Sequence, residues 1–195
     1  MTDLPRIILA SASPRRAEIL GTAGWPFTSF PVDIDEARRP AEDAVTYVER
    51  LAREKAEAAG RRCDGLMIVA ADTTVTIDHH ILEKPASEED AVRMLQLLNN
   101  RWHKVLTGLA LFDRQKSKTI IAHEVTEVKF APVSDEEIQW YVATGEPMDK
   151  AGGYAIQGLG ARLIEEIRGD YFNVVGLPLR LLYELIKAND GPSHS

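Results

Sequence analysis

Two rhythms of apolar residues run along this chain. Ile7–Ala10 and Leu66–Ala71 are short continuous apolar runs, the second bounded by Gly65 and Asp72. A run of that kind reads as a strand buried on both faces. Elsewhere the apolar positions recur at helical spacing. Val45, Val48, Leu51 and Ala52 predict a helix over Asp43–Ala59, ended by Gly60, and Lys55 falls at the edge of its apolar face. Ala91, Met94, Leu95 and Leu98 form the inner stripe of a helix opened by Ser87, whose S-E-E-D is a near capping box with Asp90 in place of Glu or Gln. Ser134 opens another helix through S-D-E-E, ending at Gly145, and a last helix is predicted over Leu179–Ala188.

Between them lie the predicted strands. Arg6–Ala10 comes first, and Trp25–Val32 is extended. Asp72 and Thr73 terminate the Leu66–Ala71 run, and Thr74–Ile77 continues as strand, turns at Asp78–His80 and returns through Ile81–Leu82. His103–Phe112 and Thr119–Phe130 form a long pair with polar residues interspersed, as on a sheet with one wet face. Glu146–Gly160 is rich in glycine and reads as a loop, Ala161–Ile167 as a strand, and Asn189–Ser195 as a frayed tail. Helices alternating with strands predict an α/β protein, a mixed twisted sheet flanked by helices, with two lobes around a cleft as the arrangement such a pattern fits. At 195 residues the chain is expected to form a single domain over 1–195.

Composition narrows the function. The formal net charge of −7 carries no basic excess or basic stripe, so a nucleic-acid polymer is not the expected partner. No apolar run approaches the roughly 20 residues of a membrane span. Cys63 is the only cysteine, so no intramolecular disulfide forms, and the start M-T-D-L-P-R lacks the pattern of a secretory signal. The expected location is the cytoplasm.

The sharpest local chemistry lies in L-A-S-A-S-P-R-R, from Leu9 to Arg16. The Ser13 hydroxyl is placed to cap the following helix, and Pro14 suits its first position. A helix N-terminus favours an anion, and Arg15 and Arg16 add donor forks suited to phosphate oxygens. An ordinary capped helix with surface arginines reads equally well. Asp72 is a carboxylate at a predicted strand end, where α/β sheets commonly bind ligands, or an Asp bonded to its own turn. Lys55 is either a snorkelling stem or a cation aimed into a cleft. Pro85 restricts Lys84 to extended backbone. Gln157 presents a donor beside an acceptor, complementary to the N–H and carbonyl of a uracil or thymine ring, or else it bonds the loop backbone.

S-x-S-P-R-R after an N-terminal strand resembles the signature of the Maf proteins, which are nucleoside triphosphate pyrophosphatases. The resemblance continues through L-A-R-E-K-A at Leu51–Ala56, A-A-D-T-T-V at Ala70–Val75, L-E-K-P at Leu82–Pro85, D-K-A-G-G-Y-A-I-Q-G-L-G, and G-D-Y-F-N-V-V-G-L-P-L. Ala70 and Glu83 stand where the family has glycine. The resemblance implies the inosine triphosphate pyrophosphatase-like fold and a divalent cation, Mg²⁺ or Mn²⁺. It implies hydrolysis of a nucleoside triphosphate to monophosphate and pyrophosphate by metal-assisted attack of water on the α-phosphorus. Carried onto this sequence, it makes Asp72 the proton acceptor. Arg15, Thr73 and Gln157 become the substrate-specificity positions, and Ser11, Arg16, Lys55 and Lys84 the phosphate site. Glu36 and Asp72 become the metal ligands. Q-G-L-G resembles the branch acting on dTTP and UTP, whereas a sister branch acting on 7-methyl-GTP carries Glu at the Gln157 position. A nucleotide-binding regulator of septum formation with little catalysis is the alternative. A homodimer is compatible with the family.

Overall fold

The computed structural model describes residues 4–190. Seven strands form one mixed sheet in the order β2-β1-β3-β5-β6-β7, with β4 paired to β3. The strands are β1 (Ile7–Leu9), β2 (Phe27–Ser29), β3 (Met67–Ile77), β4 (His80–Leu82), β5 (Trp102–Asp113), β6 (Lys118–Phe130) and β7 (Ile164–Arg168). β1 is parallel to β2 and β3, whereas β3–β4 and β6–β7 are antiparallel. The helices are α1 (Pro14–Thr22), α2 (Ala44–Gly60), α3 (Glu88–Leu98), α4 (Asp135–Ala143), α5 (Tyr171–Val175) and α6 (Leu179–Asp190). Among the described residues no helix is long and apolar enough to cross a membrane.

The chain divides into two compact units. The first comprises residues 1–72, 107–124 and 176–195, and the second comprises 73–106 and 125–175. β3, β5 and β6 each give one half to each unit.

Beside large buried side chains such as Leu20, Leu51, Leu109 and Leu111, the first unit has a core patch packed with small residues. Ala52, Ala56 and Ala59 of α2 lie on Ala10, Ile68, Ala70 and Ala110 of the sheet. A side chain at Gly108 would put its first carbon 2.3 Å from the Val48 carbonyl oxygen, so α2 rests directly on the β5 backbone. Asp43 caps α2 by accepting from the Thr46 N–H. The helix includes Gly60, one residue beyond its expected end, because Arg61 closes the last turn. Asn189 does not fray. It lies in the last turn of α6, buried, and its Nδ2 donates to Asp113 Oδ2 at 2.7 Å. That buried hydrogen bond extends the helix past Ala188, and residues 191–195 of the expected tail lie outside the described residues.

The second unit has a large-residue core: Leu82, Met94, Leu95, Leu98, Phe130, Ile138, Tyr141, Tyr154 and Leu163. Ser134 and Glu137 form the complete capping box of α4. Ser87 caps α3 by accepting from the Asp90 N–H, but the Asp90 carboxylate reaches the Ala86 N–H instead of closing the box. Glu146–Gly160 is not irregular. It folds into 3₁₀ turns at Glu146–Asp149 and Ala151–Gly153, and a third at Gly158–Leu163 delays β7 to Ile164.

Candidate active site

In the first unit the chain leaves β1 at Leu9 and enters α1 at Pro14. Ser13 occupies the cap position, yet its hydroxyl makes no capping bond. Ser11 organises the turn instead. Its Oγ accepts from the Ser13 N–H at 3.1 Å and from Arg16 Nη1 at 3.2 Å. Arg16 also donates through Nε to the Gly176 carbonyl at 2.7 Å, which ties the N-terminal turn to the segment entering α6. Its guanidinium is thus aimed by two bonds before any ligand arrives. Burial lowers the Arg16 pKa, Asp72 and Glu36 raise it, and Arg15 lowers it further, so Arg16 feels all three of these charges. Guanidinium remains protonated under such shifts.

Lys55 is the centre of this group. It lies within the buried stripe of α2, between Leu51 and Ala59, and not at its edge. Its Nζ donates to Asp72 Oδ1 at 2.7 Å and to Glu36 Oε1 at 2.6 Å. The Lys55 and Asp72 side chains are 11% and 12% exposed, so this is an almost dry ion pair. Asp72 does not terminate its strand. β3 continues unbroken from Met67 to Ile77, because Thr73, Thr74, Val75 and Thr76 are good strand residues, β5 lies beside the strand, and β4 pairs with Val75–Ile77. The carboxylate therefore projects from rigid backbone, not from a turn.

Glu36 lies on a long connection before α2, and sequence reading missed what fixes it. Tyr47 Oη donates to the Glu36 carbonyl at 3.1 Å, and Arg50 Nη2 donates to the Ala37 carbonyl at 3.1 Å. Arg50 also grips Glu42 with a fork, Nε to Oε1 at 2.6 Å and Nη2 to Oε2 at 2.9 Å. Tyr47 and Arg50, three apart on α2, share a face; that spacing is the one signal the sequence offered.

The donor set suits a hard cation of low protein-ligand number. Glu36 and Asp72 bring two carboxylates onto one ammonium, and among the described residues no group of three or more His, Cys, Asp and Glu side chains gathers to hold a metal ion. Mg²⁺ commonly takes one or two carboxylates and completes its shell with phosphate and water, so the residues present fit such an ion.

Thr73, Lys84 and Gln157 belong to the second unit. Thr73 follows Asp72 on β3 and is half-buried, and Lys84 is exposed just beyond β4. The backbone around Lys84 is held on both sides. The Gly152 N–H donates to the Glu83 carbonyl at 3.0 Å, and Pro85 packs near Gly153. Gln157 is half-buried at the start of the third 3₁₀ turn. The Lys150 ammonium is bound locally, by the Glu146 carbonyl and the Asp149 carboxylate.

The chain matches the family model described as Maf-like protein over residues 6–189. It is 49% identical over 183 residues to a Symbiobacterium thermophilum protein named dTTP/UTP pyrophosphatase, covering 94% of this chain and 93% of that one. A Geobacter sulfurreducens protein of the same name is 51% identical over 174 residues, with coverages of 89% and 91%. Among solved structures, the Staphylococcus aureus Ham1 protein has a similar fold, with a TM-score of 0.59 over 95% of this chain and 100% of that one at 13% identity.

Proposed function

The chain belongs to the Maf-like protein family, and on that premise we propose that it is a pyrophosphatase acting on dTTP and UTP, or on related pyrimidine triphosphates. The products are the nucleoside monophosphate and pyrophosphate. The observation that carries this reading is the identity of 49% and 51%, over 94% and 89% of this chain, to the two proteins bearing that name.

The proposed chemistry follows from charge. Water attacks the α-phosphorus, the bond to the bridging oxygen breaks, and pyrophosphate leaves. Asp72 takes the proton from water at Oδ2, since Oδ1 is held by Lys55. Arg16, oriented by Ser11 and Gly176, and Lys55 present fixed positive charge to the triphosphate, with Arg15 adding to it, and Lys84 keeps the phosphate-binding role that the family resemblance implies for it. Pre-aimed cations cost no reorganisation when charge builds on the leaving group. A divalent ion, Mg²⁺ or Mn²⁺, held by Glu36 and Asp72, supplies charge neutralisation and orients water when bound. Thr73 and Gln157 select the base. The proposed setting is the cytoplasm, with a free nucleotide as substrate.

Pyrophosphate release from each nucleoside triphosphate with Mg²⁺ or Mn²⁺ tests this directly. UTP and dTTP are expected to be the preferred substrates. Asp72→Asn is expected to lower turnover by about 10²–10⁴-fold with the fold retained. Release from no triphosphate would make the protein a nucleotide-binding regulator, and wild-type turnover in Asp72→Asn would remove Asp72 from the chemistry.

A further inference from the structure

Gln157 sits in a segment with four glycines within a few residues, Gly152, Gly153, Gly158 and Gly160. Such a segment has much conformational freedom to lose. An amide that discriminates bases must hold its donor and acceptor in one orientation, so something has to fix the backbone that carries it. The bonds that do so come from two side chains outside the segment.

Glu146 supplies most of them. Its Oε2 accepts from the Leu159 N–H at 3.0 Å, and its Oε1 accepts from the Gly160 N–H at 2.9 Å. Tyr141 Oη donates to the same Oε1 at 2.9 Å and accepts from the Ala155 N–H at 3.1 Å. The chain is therefore gripped two residues before Gln157 and again two and three residues after it. The glycines permit this approach. A side-chain carbon at Gly158 would come within 2.7 Å of Glu146 Oε2, and one at Gly160 within 2.4 Å of the Ala155 carbonyl and 2.6 Å of Tyr141 Oη. Gly158 also has φ +69°, which a side chain disfavours. Burial pushes the Glu146 carboxyl up, but the Gly160 and Leu159 N–H groups, the Tyr141 hydroxyl and Lys150 outweigh it and hold the group below its ordinary range. A charged acceptor gripping backbone donors forms the stronger class of hydrogen bond.

We propose that Glu146, with Tyr141, is the positioning residue of base recognition: its carboxylate fixes the 155–160 turn and thereby the orientation of the Gln157 amide. This rests on the reading of Gln157 as the residue that meets the base. Glu146 touches neither base nor phosphate in this account. It acts through the backbone, so its loss shows in selectivity and KM more than in kcat.

The experiment compares kcat and KM for UTP and for CTP, whose ring reverses the donor and acceptor that uracil presents. Four variants are compared: Glu146→Gln, Tyr141→Phe, Gln157→Ala and the Glu146→Gln/Gln157→Ala double variant. Glu146→Gln replaces one acceptor oxygen by an NH₂ group facing a backbone N–H. The expected result is a fall in the UTP-to-CTP ratio of kcat/KM of about tenfold, the scale of one charged hydrogen bond, carried mainly by KM. The double variant is expected to be no less selective than Gln157→Ala alone, because both act through one amide. A purely structural Glu146 would lower kcat on both triphosphates together and add to Gln157→Ala; that result overturns the proposal. If Glu146→Gln does not fold, Tyr141→Phe is read by the same ratio, and an unchanged ratio there also overturns it. If Gln157→Ala leaves the ratio unchanged, Gln157 does not read the base and both readings fall together. A narrowed ratio in Gln157→Ala but not in Glu146→Gln overturns the positioning role alone.

Discussion

The charged group of the first unit and the Gln157 turn of the second are held by opposite means. Lys55, Asp72 and Glu36 hold one another by charge, with side chains on α2, β3 and the connection before α2 converging on one ammonium. Gln157 is held through the peptide N–H groups of its neighbours by a carboxylate and a phenol. In the first group the residues proposed for chemistry make the structural contacts themselves. In the second the contacts belong to residues that do not meet the ligand. A site that stabilises charge can be built from charges. A site that reads a base must keep its reader uncommitted, so the holding falls to others.

The comparison breaks most readily at Lys55. Lys55→Ala leaves Asp72 buried without its ammonium, which is expected to cost about 3 kcal/mol in urea unfolding, alongside loss of pyrophosphate release. Retention of both stability and turnover would mean that charge is not what holds the first group.

Acid separates the two units next. Burial holds the His103 imidazole near pKa 4, with its Nε2 at 2.6 Å from Tyr154 Oη in the second core. Its ordinary value is 6.5. Between those values the unfolded chain binds a proton that the folded chain refuses, so stability falls as pH drops from 6.5 to 4, by up to about 3 kcal/mol. In the first unit the Arg50 fork holds Glu42 near 2, below its ordinary 4.5, so that contribution is lost only as pH falls from 4.5 toward 2. Hydrogen exchange at pH 5 is therefore expected to loosen the second core before the first. His103→Gln is expected to flatten the slope between pH 6.5 and 4, and an unaltered slope assigns it to other groups.

Gln157→Glu gives the smallest effect. The carboxylate keeps an acceptor and loses the donor, so activity on UTP and dTTP is expected to fall about tenfold relative to 7-methyl-GTP, the discrimination one hydrogen bond provides. Unfolding stability is expected to stay near that of the parent, because the bonds that hold the turn are made by Ala155, Leu159 and Gly160. An unchanged preference would mean the base is met elsewhere.

Much of the frame was legible in the sequence because it rests on periodicity. The Leu66–Ala71 run is strand from Met67 onward, with Leu66 exposed ahead of it, the Ala91–Leu98 stripe is buried as spaced, and the Ser134 capping box forms in full. What was illegible depends on contacts distant in the chain. Asp72 read as a terminator because an acid after an apolar run resembles a stop, but β5 beside the strand and pairing with β4 at Val75–Ile77 carry β3 past it. Ser13 read as a cap because local rules cannot see Ser11 taking the bonds of that turn. Glu146–Gly160 read as loop because glycine content conceals order imposed by two side chains, Tyr141 before the segment and Glu146 at its start. Asn189 read as tail because its partner, Asp113, lies 76 residues earlier.

The bare contact of α2 with β5 at Gly108 has an engineering corollary. Efforts to toughen this protein by filling its interior would naturally begin among the alanines of α2, where each added methyl promises extra burial. Any such enlargement would jack the helix outward and carry the Lys55 ammonium off its two acids. Directed libraries are better aimed at the second unit's core away from Tyr141, at residues such as Leu95, Leu98 and Ile138, where bulky neighbours can trade volume with one another.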